Sequence, residues 1–241
     1  MTEHTSAPSR RDRSVFPPFL YDAYRATILR APLRPPVELP ETLSEQTGPG
    51  PALSEVTPED ADLTRNAGTD GEALGERIIV TGRVLDANGD PVPRTLIDIW
   101  QANSAGRYRH RLDQHHAPID PHFLGMGRCR TDEGGVYRFL TIRPGAYPWG
   151  NHENAWRPAH IHFSLFGSSF TSRLVTQMYF PNDPLHGLDP IFNSVPTDEA
   201  RTRLIAGYDH DVTEPVWALG YRFDFVLGDG GTPFEDEDHG A

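Results

Sequence analysis

Short apolar runs separated by Gly, Pro, Asn and Asp constrain this chain more than any other feature. Turn signals such as Asn88-Gly89-Asp90 and Asp132-Glu133-Gly134 lie between runs that resemble strands. The predicted strands cover residues 77–86, 95–103, 135–142, 160–167, 173–180 and 217–228. Many short strands joined by such turns are typical of a β-sandwich. We therefore predict a mainly β protein with a β-sandwich core and few short helices.

Two short helices are predicted outside these strands. The stretch YDAYRATILRAP, residues 21–32, suits a helix that ends at Pro32, because proline cannot continue a helix without strain. Residues 197–206 suit a second helix, with Thr197 or Asp198 as its N-cap and Gly207 as its stop.

Residues 1–75 are predicted to form an N-terminal arm. They are rich in Pro and polar residues, and residues 37–75 contain few apolar side chains, as in an extended arm or a long loop. Because aromatic residues are embedded in it, we expect the arm to wrap its own domain or a partner and to contribute to a substrate site. Residues 76–241 are predicted to form one β-sandwich domain.

Charge and cysteine content exclude some classes of function. The net charge of −12 and the pI near 5.3 argue against nucleic acid or an anionic membrane as a partner. No apolar run approaches the roughly 18 residues of a membrane span, and the polar N-terminus lacks the apolar stretch of a signal peptide. The single cysteine, Cys129, fits a reducing compartment. We therefore expect a cytoplasmic location.

The stretch WRPAHIHF places His160 and His162 two residues apart in a predicted strand. Alternation puts both imidazoles on one face and directs Ile161 and Phe163 towards the core. Two imidazoles on one face can bind one metal ion. With 11 histidines in 241 residues, however, a His-x-His pair also arises by chance. The pair alone does not decide between a metal site and two solvated histidines, and solvated histidines are the commoner case for an isolated His-x-His pair.

Further metal ligands must come from elsewhere in the chain. The nearest upstream acid, Glu153, does not have a spacing that would complete a site with two histidines and a carboxylate. Tyr108 and Tyr147 each follow a predicted strand in a glycine-containing loop. Taken singly, either tyrosine could equally pack at an interface.

Three segments together resemble the intradiol ring-cleavage dioxygenases: DIWQANSAGRY, YRFLTIRPGAYPW and RPAHIHFSLFG. The likeness extends over about residues 21–227. It implies a β-sandwich of the intradiol dioxygenase and transthyretin-like type. It also implies one non-haem Fe(III) per chain, bound by Tyr108, Tyr147, His160 and His162, with Tyr147 and His162 in axial positions.

The implied ligand set is chemically consistent. Fe(III) is a hard cation that favours anionic oxygen ligands, and a phenol with a pKa of about 10 ionises when it binds such a cation. Two tyrosinates and one hydroxide would offset the three charges of the metal. The resemblance implies that O₂ cleaves a catechol ring between its two oxygen-bearing carbons, without a reductant or organic cofactor.

Other site residues are implied by the same resemblance. Arg157 would stabilise developing negative charge and Gln177 would orient a histidine ligand. Tyr24 would hydrogen-bond a substrate carboxylate, while Trp149 and Ile191 would form pocket walls. For each of these, a surface or packing role is the alternative.

Two further features stay outside this ligand set. Trp100 either lines the site or simply packs against the sheet, as a large indole on a strand often does. His115, His116 and His122 form a second cluster, but their spacing does not place them on one face. We interpret this cluster as a solvated or interface loop.

The short arm favours the protocatechuate-cleaving type within the family. Catechol and hydroxyquinol enzymes usually carry a larger helical N-terminal domain, which this chain lacks. The type implies conversion of protocatechuate and O₂ to 3-carboxy-cis,cis-muconate. It also implies a hetero-oligomer with a homologous alpha chain that lacks the ligands, with the active site at the interface between the two chains.

Several alternatives remain at this point. The chain could act on catechol or hydroxyquinol instead. It could be a non-catalytic transthyretin-like binding module, although all four ligand positions are intact. A Zn or Fe(II) hydrolase or oxygenase would need a well-placed acid beside the histidines, and none is evident.

Overall fold

A computed structural model describes residues 16–37, 55–166 and 173–227. Its helices are α1 (Ala26–Arg30), α2 (Pro190–Asn193) and α3 (Asp198–Thr202), with 3₁₀ turns at Pro58–Ala61 and His186–Leu188. Its strands are β1 (Arg77–Leu85), β2 (Leu96–Gln101), β3 (Met126–Arg130), β4 (Val136–Ile142), β5 (Tyr147–Pro148), β6 (Trp156–Arg157), β7 (His160–Phe166), β8 (Arg173–Tyr179), β9 (Gly207–Tyr208), β10 (Leu219–Arg222) and β11 (Phe225–Val226). No helix of the described residues has the length and apolar character to cross a membrane.

The strands form two main sheets and a small hairpin. In the first sheet, β1 pairs with β4 along one edge and with β10 and then β11 along the other, and β9 extends the sheet beyond β10. The second sheet is antiparallel, in the order β3-β2-β7-β8. Strands β5 and β6 form the hairpin. The predicted β-sandwich with few short helices is confirmed.

The two sheets bury a shared apolar core. Ile78 and Val80 of β1 belong to the same buried cluster as Ile161 and Phe163 of β7. The rings of Phe163 and Phe139, which come from opposite sheets, lie 5.9 Å apart at an angle of 66°. The alternation predicted for β7 is therefore confirmed, and its other face carries the two histidines.

The prediction of one continuous strand over residues 217–228 is wrong. The segment divides into β10 and β11, because Phe223 and Asp224 leave the ladder between them. Gly82 of β1 lies opposite this break, where a Cβ atom would stand only 1.8 Å from the Phe223 carbonyl oxygen. The Asp224 side chain accepts a hydrogen bond from the Arg83 amide at 2.8 Å, which replaces the lost strand pairing.

The helix predicted for residues 21–32 begins five residues too early, since α1 begins at Ala26. The helix predicted for residues 197–206 is correct at its start and too long at its end. The Thr197 hydroxyl accepts a hydrogen bond from the Ala200 amide at 3.1 Å, as an N-cap should. The helix ends at Thr202, well before the predicted stop at Gly207. Residues 204–206 instead hydrogen-bond to the main chain of Tyr179 at the end of β8, and this tertiary pairing competes with a further helical turn. Strand β3 was not predicted, because its residues are mostly polar or exposed.

Part of the predicted arm packs against the sandwich. Leu63 is fully buried in the core, and its amide donates to the Leu140 carbonyl at 2.9 Å. The preceding 3₁₀ turn is fixed by a capping box between Thr57 and Asp60. Residues 1–15 and 38–54 of the predicted arm lie outside the described residues. The division of the chain at residue 75 stays a prediction.

Replacement of Leu63 by alanine should destabilise the whole domain. Because Leu63 is fully buried, Leu63→Ala should lower the free energy of unfolding by about 2 to 5 kcal/mol. Leu74→Ala is the matched control, since Leu74 lies in the same segment and is 65% exposed. Urea unfolding of both variants measures the difference, and equal stabilities would show that residues 55–75 are not part of the folded unit.

Candidate active site

The loop after β2 presents Tyr108. Asn103 organises this loop, because its side-chain oxygen accepts hydrogen bonds from the amides of Ala105 at 3.0 Å and Arg107 at 2.9 Å. The amide of Tyr108 donates to the Asp113 carboxylate at 2.8 Å. The main chain on both sides of Tyr108 is therefore held by side chains of the same loop.

The loop after β4 presents Tyr147 and packs directly on the first loop. Gly106 has a φ of +77°, and a Cβ atom there would lie 2.1 Å from the Ala146 carbonyl oxygen. Only glycine permits this approach. The ring of Tyr147 meets the ring of Tyr108 edge to face, with centroids 5.3 Å apart. The two tyrosines are thus brought together by a backbone contact between their loops.

Strand β7 supplies two imidazoles at the same point. Nε2 of His160 lies 3.2 Å from Nε2 of His162 and 3.3 Å from the phenolic oxygen of Tyr147. Nδ1 of His160 lies 2.7 Å from the Pro158 carbonyl oxygen, which can only accept. Nδ1 therefore carries the proton in a neutral ring, and the Nε2 lone pair points towards His162 and Tyr147. The ring of His162 is stacked on Trp100, with centroids 4.8 Å apart and planes 4° from parallel.

The phenolic oxygen of Tyr108 is buried without a hydrogen-bond partner among the described residues. An unpaired buried hydroxyl is costly, so it indicates a missing partner. Two phenols and two imidazoles converge here, a donor set suited to a cation that accepts oxygen and nitrogen ligands. The residues present therefore fit a metal ion.

Burial favours the neutral forms of both imidazoles and of the Tyr108 phenol. Burial, with a further contribution from Arg157, lowers the pKa of His162 to about 3 and that of His160 well below its ordinary value. Burial also raises the pKa of Tyr108, and the nearby Tyr147 raises it further. Neutral imidazoles are the form that binds metals. The Tyr108 phenol would need a cation to become anionic.

Arg157 lies beside these donors in a buried polar cluster. It pairs with Tyr147 in the hairpin of β5 and β6, and its guanidinium is almost inaccessible to solvent. One terminal nitrogen, Nη2, donates to the Gln177 side chain at 2.6 Å, the Tyr179 hydroxyl at 2.8 Å and the Asp189 carboxylate at 3.0 Å. Gln177 stands opposite His162 in the sheet, but its side-chain oxygen accepts from Arg157 and Tyr179.

A cleft of about 800 Å³ opens onto the tyrosines. Its wall includes Trp100, Tyr108, Tyr147 and Trp149. Tyr24 does not line this cleft, although its ring meets Trp149 edge-on with centroids 5.5 Å apart.

Ile191 does not line the cleft either and lies at the start of α2. The Ile191 amide donates a hydrogen bond to the Asp189 carboxylate, and the same carboxylate pairs with Arg157, so Asp189 connects Ile191 to Arg157. The substrate-binding roles of Tyr24, Trp149 and Ile191 stay predictions.

The second histidine cluster does not assemble a site. His122 lies 2.7 Å from the Thr69 hydroxyl and His115 lies 3.1 Å from the Gly106 carbonyl oxygen, while His116 is exposed. Within residues 16–37, 55–166 and 173–227, no group of three or more His, Cys, Asp and Glu side chains could hold a metal ion.

Comparison with known proteins assigns the family. A family model described as "Dioxygenase" matches residues 49–229, and one described as "Protocatechuate 3,4-dioxygenase beta subunit N terminal" matches residues 9–42. The protocatechuate 3,4-dioxygenase beta chain of Burkholderia cepacia is 58% identical over 226 residues, which are 93% of this chain and 96% of that one. The chain belongs to the intradiol ring-cleavage dioxygenases. It is therefore an oxidoreductase, and the predicted enzyme class is confirmed.

Other intradiol dioxygenases support the assignment. The protocatechuate 3,4-dioxygenase alpha chain of Pseudomonas putida is 30% identical over 210 residues, covering 83% of this chain and 99% of that chain. The crystal structure of 3-chlorocatechol 1,2-dioxygenase from Rhodococcus opacus has a TM-score of 0.54 and 28% identity. The match covers 71% of this chain and 66% of that one.

Asp189 and Tyr179 are the members of this intradiol dioxygenase site that sequence reasoning missed. Asp189 precedes Pro190, and an acid before a proline is a recognisable start of a helix. That signal predicts a helix cap, but it does not predict the ion pair with Arg157, which lies 32 residues earlier in the chain. Tyr179 reads as an ordinary strand residue at the end of β8.

The metal-free dioxygenase should lose stability as the pH falls. The pKa of each site histidine is lower in the folded chain than its value of about 6.5 when unfolded, so below pH 6.5 protons bind the unfolded chain preferentially. From pH 7.5 to 5.5 we expect the free energy of unfolding of chelator-treated protein to fall by about 2 to 3 kcal/mol.

Urea unfolding at the two pH values measures this loss. The control variant His116→Gln, which changes an exposed histidine, should keep the full pH dependence of the free energy of unfolding. The double variant His160→Gln with His162→Gln should lose most of it. A parental protein whose stability is the same at both pH values would contradict the neutral, buried state of the histidine pair.

Proposed function

We propose that this chain is the catalytic chain of a protocatechuate 3,4-dioxygenase. It would cleave protocatechuate with O₂ to 3-carboxy-cis,cis-muconate at a non-haem Fe(III) site. The observation that carries the proposal is the convergence of Tyr108, Tyr147, His160 and His162 at one point beside a cleft. Both oxygen atoms of O₂ enter the product, so the reaction balances without a reductant.

The donor set supports iron in the ferric state. Two phenols supply anionic oxygen once they bind a highly charged cation, and two neutral imidazoles complete the set without adding charge. A Zn or Fe(II) site built on His160 and His162 would favour a carboxylate ligand. Among the described residues no Asp or Glu joins this pair in a group that could hold a metal, whereas the Tyr147 phenol lies 3.3 Å from Nε2 of His160.

The chain's own groups have distinct parts in the reaction. When bound, Fe(III) would draw electron density from a chelated catecholate, so that a ring carbon can react with O₂. Tyr147 stands at the cleft wall, where its oxygen, in the ionised form, would accept a proton from a catechol hydroxyl and become a neutral phenol as the substrate binds. His160 keeps one orientation through its Nδ1 contact with Pro158.

Arg157 and Gln177 would act on charge that develops during ring cleavage. The Arg157 guanidinium is buried beside Tyr147, where a fixed positive charge acts in a medium of low dielectric constant. The Gln177 side chain holds that guanidinium through a hydrogen bond of 2.6 Å. We therefore propose that Gln177 orients Arg157, in addition to the role near the histidines that the sequence suggested.

Protocatechuate is favoured over catechol and hydroxyquinol by the 58% identity to the Burkholderia cepacia protocatechuate 3,4-dioxygenase beta chain and by the N-terminal family match. The same N-terminal segment places Tyr24 against Trp149, and Trp149 lines the cleft. Tyr24 is therefore close enough to the cleft to be the proposed hydrogen-bond donor to a substrate carboxylate. Catechol or hydroxyquinol is the second candidate substrate, and neither carries the carboxylate that Tyr24 would bind.

A homologous alpha chain is the proposed partner. Relatives named as beta and alpha chains both match this sequence, which supports a hetero-oligomer. The described part of the N-terminal arm exposes several large apolar side chains, as an interaction surface does: Phe16, Phe19, Leu20, Ile28, Leu29, Leu33 and Val37. The cytoplasmic location rests only on the composition and stays a prediction.

The visible spectrum tests the iron and tyrosine assignments together. Iron-loaded protein should be red-brown, because charge transfer from tyrosinate to Fe(III) absorbs visible light, and anaerobic protocatechuate should shift the band to longer wavelength. Tyr108→Phe and Tyr147→Phe should each lower ring-cleavage activity at least about 100-fold, since substitution of residues that only hydrogen-bond to metal ligands already lowers metal affinity or activity 10- to 100-fold. Each variant should also lose or shift the visible band.

Tyr208→Phe is the control for this spectrum, because Tyr208 is exposed on β9. It should keep both colour and activity. A colourless wild-type protein that contains stoichiometric iron would contradict the two-tyrosinate site. A coloured wild-type protein that cleaves catechol faster than protocatechuate would favour the second candidate substrate.

Substitutions in the N-terminal arm test whether this surface binds the proposed alpha chain. Tagged protein purified from its native cells should carry a homologous second chain, identified by mass spectrometry. Changing Leu29 and Leu33, which are almost fully exposed, to aspartate should reduce recovery of that chain at least about tenfold, since buried unpaired charges disrupt interfaces. Val226→Asp, at an exposed position of β11, should leave recovery unchanged. Equal recovery with all variants would exclude this surface as the contact.

A further inference from the structure

The carboxylate of Asp189 serves two parts of the site at once. It is fully buried. Its Oδ2 accepts hydrogen bonds from Nη2 and Nε of Arg157 at 3.0 and 3.3 Å, and from the Tyr179 hydroxyl at 3.3 Å. Its Oδ1 accepts from the Ile191 amide at 3.1 Å and so caps α2. One side chain therefore connects the arginine beside the metal ligands to the helix that carries Ile191.

The ion pair between Arg157 and Asp189 is held where water cannot replace either member. The two side chains are 4% and 0% exposed. A buried charge needs a partner of opposite sign, because desolvation of an isolated ion costs several kcal/mol. Without the Asp189 carboxylate, the Arg157 guanidinium would have to turn towards another acceptor or towards the cleft.

Apart from Asp189, the side chains that contact the Arg157 guanidinium in the described part of the chain carry no negative charge. Gln177 and Tyr179 offer neutral oxygens at 2.6 and 2.8 Å, and Trp149 offers a ring face whose centroid lies 5.9 Å away. These groups restrict where the guanidinium can lie, while the Asp189 carboxylate compensates its charge. Asp189 is therefore the anionic member of the contacts that hold the guanidinium in place.

We infer that Asp189 is a positioning residue for the ring-cleavage reaction: it holds the Arg157 guanidinium against the site and fixes the start of α2 through the same carboxylate. This inference rests on the proposed function, in which Arg157 faces the reacting substrate. The hydrogen bonds of the Asp189 carboxylate go to Arg157, Tyr179 and the Ile191 amide, so its negative charge acts on the site through Arg157.

The substitution Asp189→Asn separates the two tasks. Asparagine is as good an N-cap as aspartate, so the bond to the Ile191 amide can persist while the negative charge is lost. We expect kcat to fall about 100-fold, the effect of an ångström-scale misplacement of a catalytic group. KM for protocatechuate should change less than about threefold, and the visible band of the iron-loaded protein should persist. A defect confined to folding would lower the amount of active enzyme without changing kcat per coloured iron.

Three further variants complete the test. Asp198→Asn is the matched control, since Asp198 is exposed and pairs with Arg201 on α3, and it should keep wild-type kcat. Arg157→Gln alone and together with Asp189→Asn should have equal kcat/KM, because asparagine keeps the cap of α2 and the lost charge has no target once Arg157 is gone. The double variant also leaves no unpaired buried charge, so it remains measurable if Asp189→Asn alone fails to fold.

The outcomes distinguish this inference from the proposed function. A wild-type protein without the visible band and without ring cleavage would overturn the proposed function itself. With an active, coloured wild type, a kcat within twofold for Asp189→Asn would overturn the positioning role. So would a further loss of tenfold or more when Asp189→Asn is added to Arg157→Gln. A large fall in kcat for the single variant, absent in the Arg157→Gln background, is the expected result.

Discussion

The register of β7 within its sheet is the constraint on which the rest of the site depends. Because Ile161 is locked in the core, the pleat must direct His160 and His162 to the opposite face. A shift of one residue would exchange the two sets. Pairing of β7 with its neighbours then places Trp100 on one side of His162 and Gln177 on the other. Core packing and site geometry are therefore two consequences of the same strand pairing.

Charge balance links the metal ligands to the cluster behind them. The site histidines are neutral because they are buried, and Arg157 adds to that effect. The positive charge of Arg157 is in turn compensated by Asp189. Without a cation the centre therefore has little net charge, which a buried site tolerates at low cost. A trivalent ion with two ionised phenols would keep the site close to that balance, as the proposed function requires.

Much of the fold and of the candidate site could be predicted from local patterns. The strand runs, the turns and the Thr197 cap follow from periodicity and capping, which act over a few residues. The break between β10 and β11 and the early end of α3 could not, because each results from main-chain contacts with a distant strand. The four proposed ligands were found through the resemblance, since a tyrosine in a loop looks the same whether it binds a metal or packs.

By itself, the sequence determined the sandwich class, the face of β7 that bears the histidines and the family to which the chain belongs. Only the tertiary structure decided that Gly106 lets the two tyrosine loops meet, that the buried Tyr108 oxygen has no hydrogen-bond partner among the described residues, and that Asp189 pairs with Arg157. The physical reason is range. Alternation and capping are local properties of the chain, whereas burial, charge compensation and close backbone approach depend on segments that are far apart in sequence and adjacent only after folding.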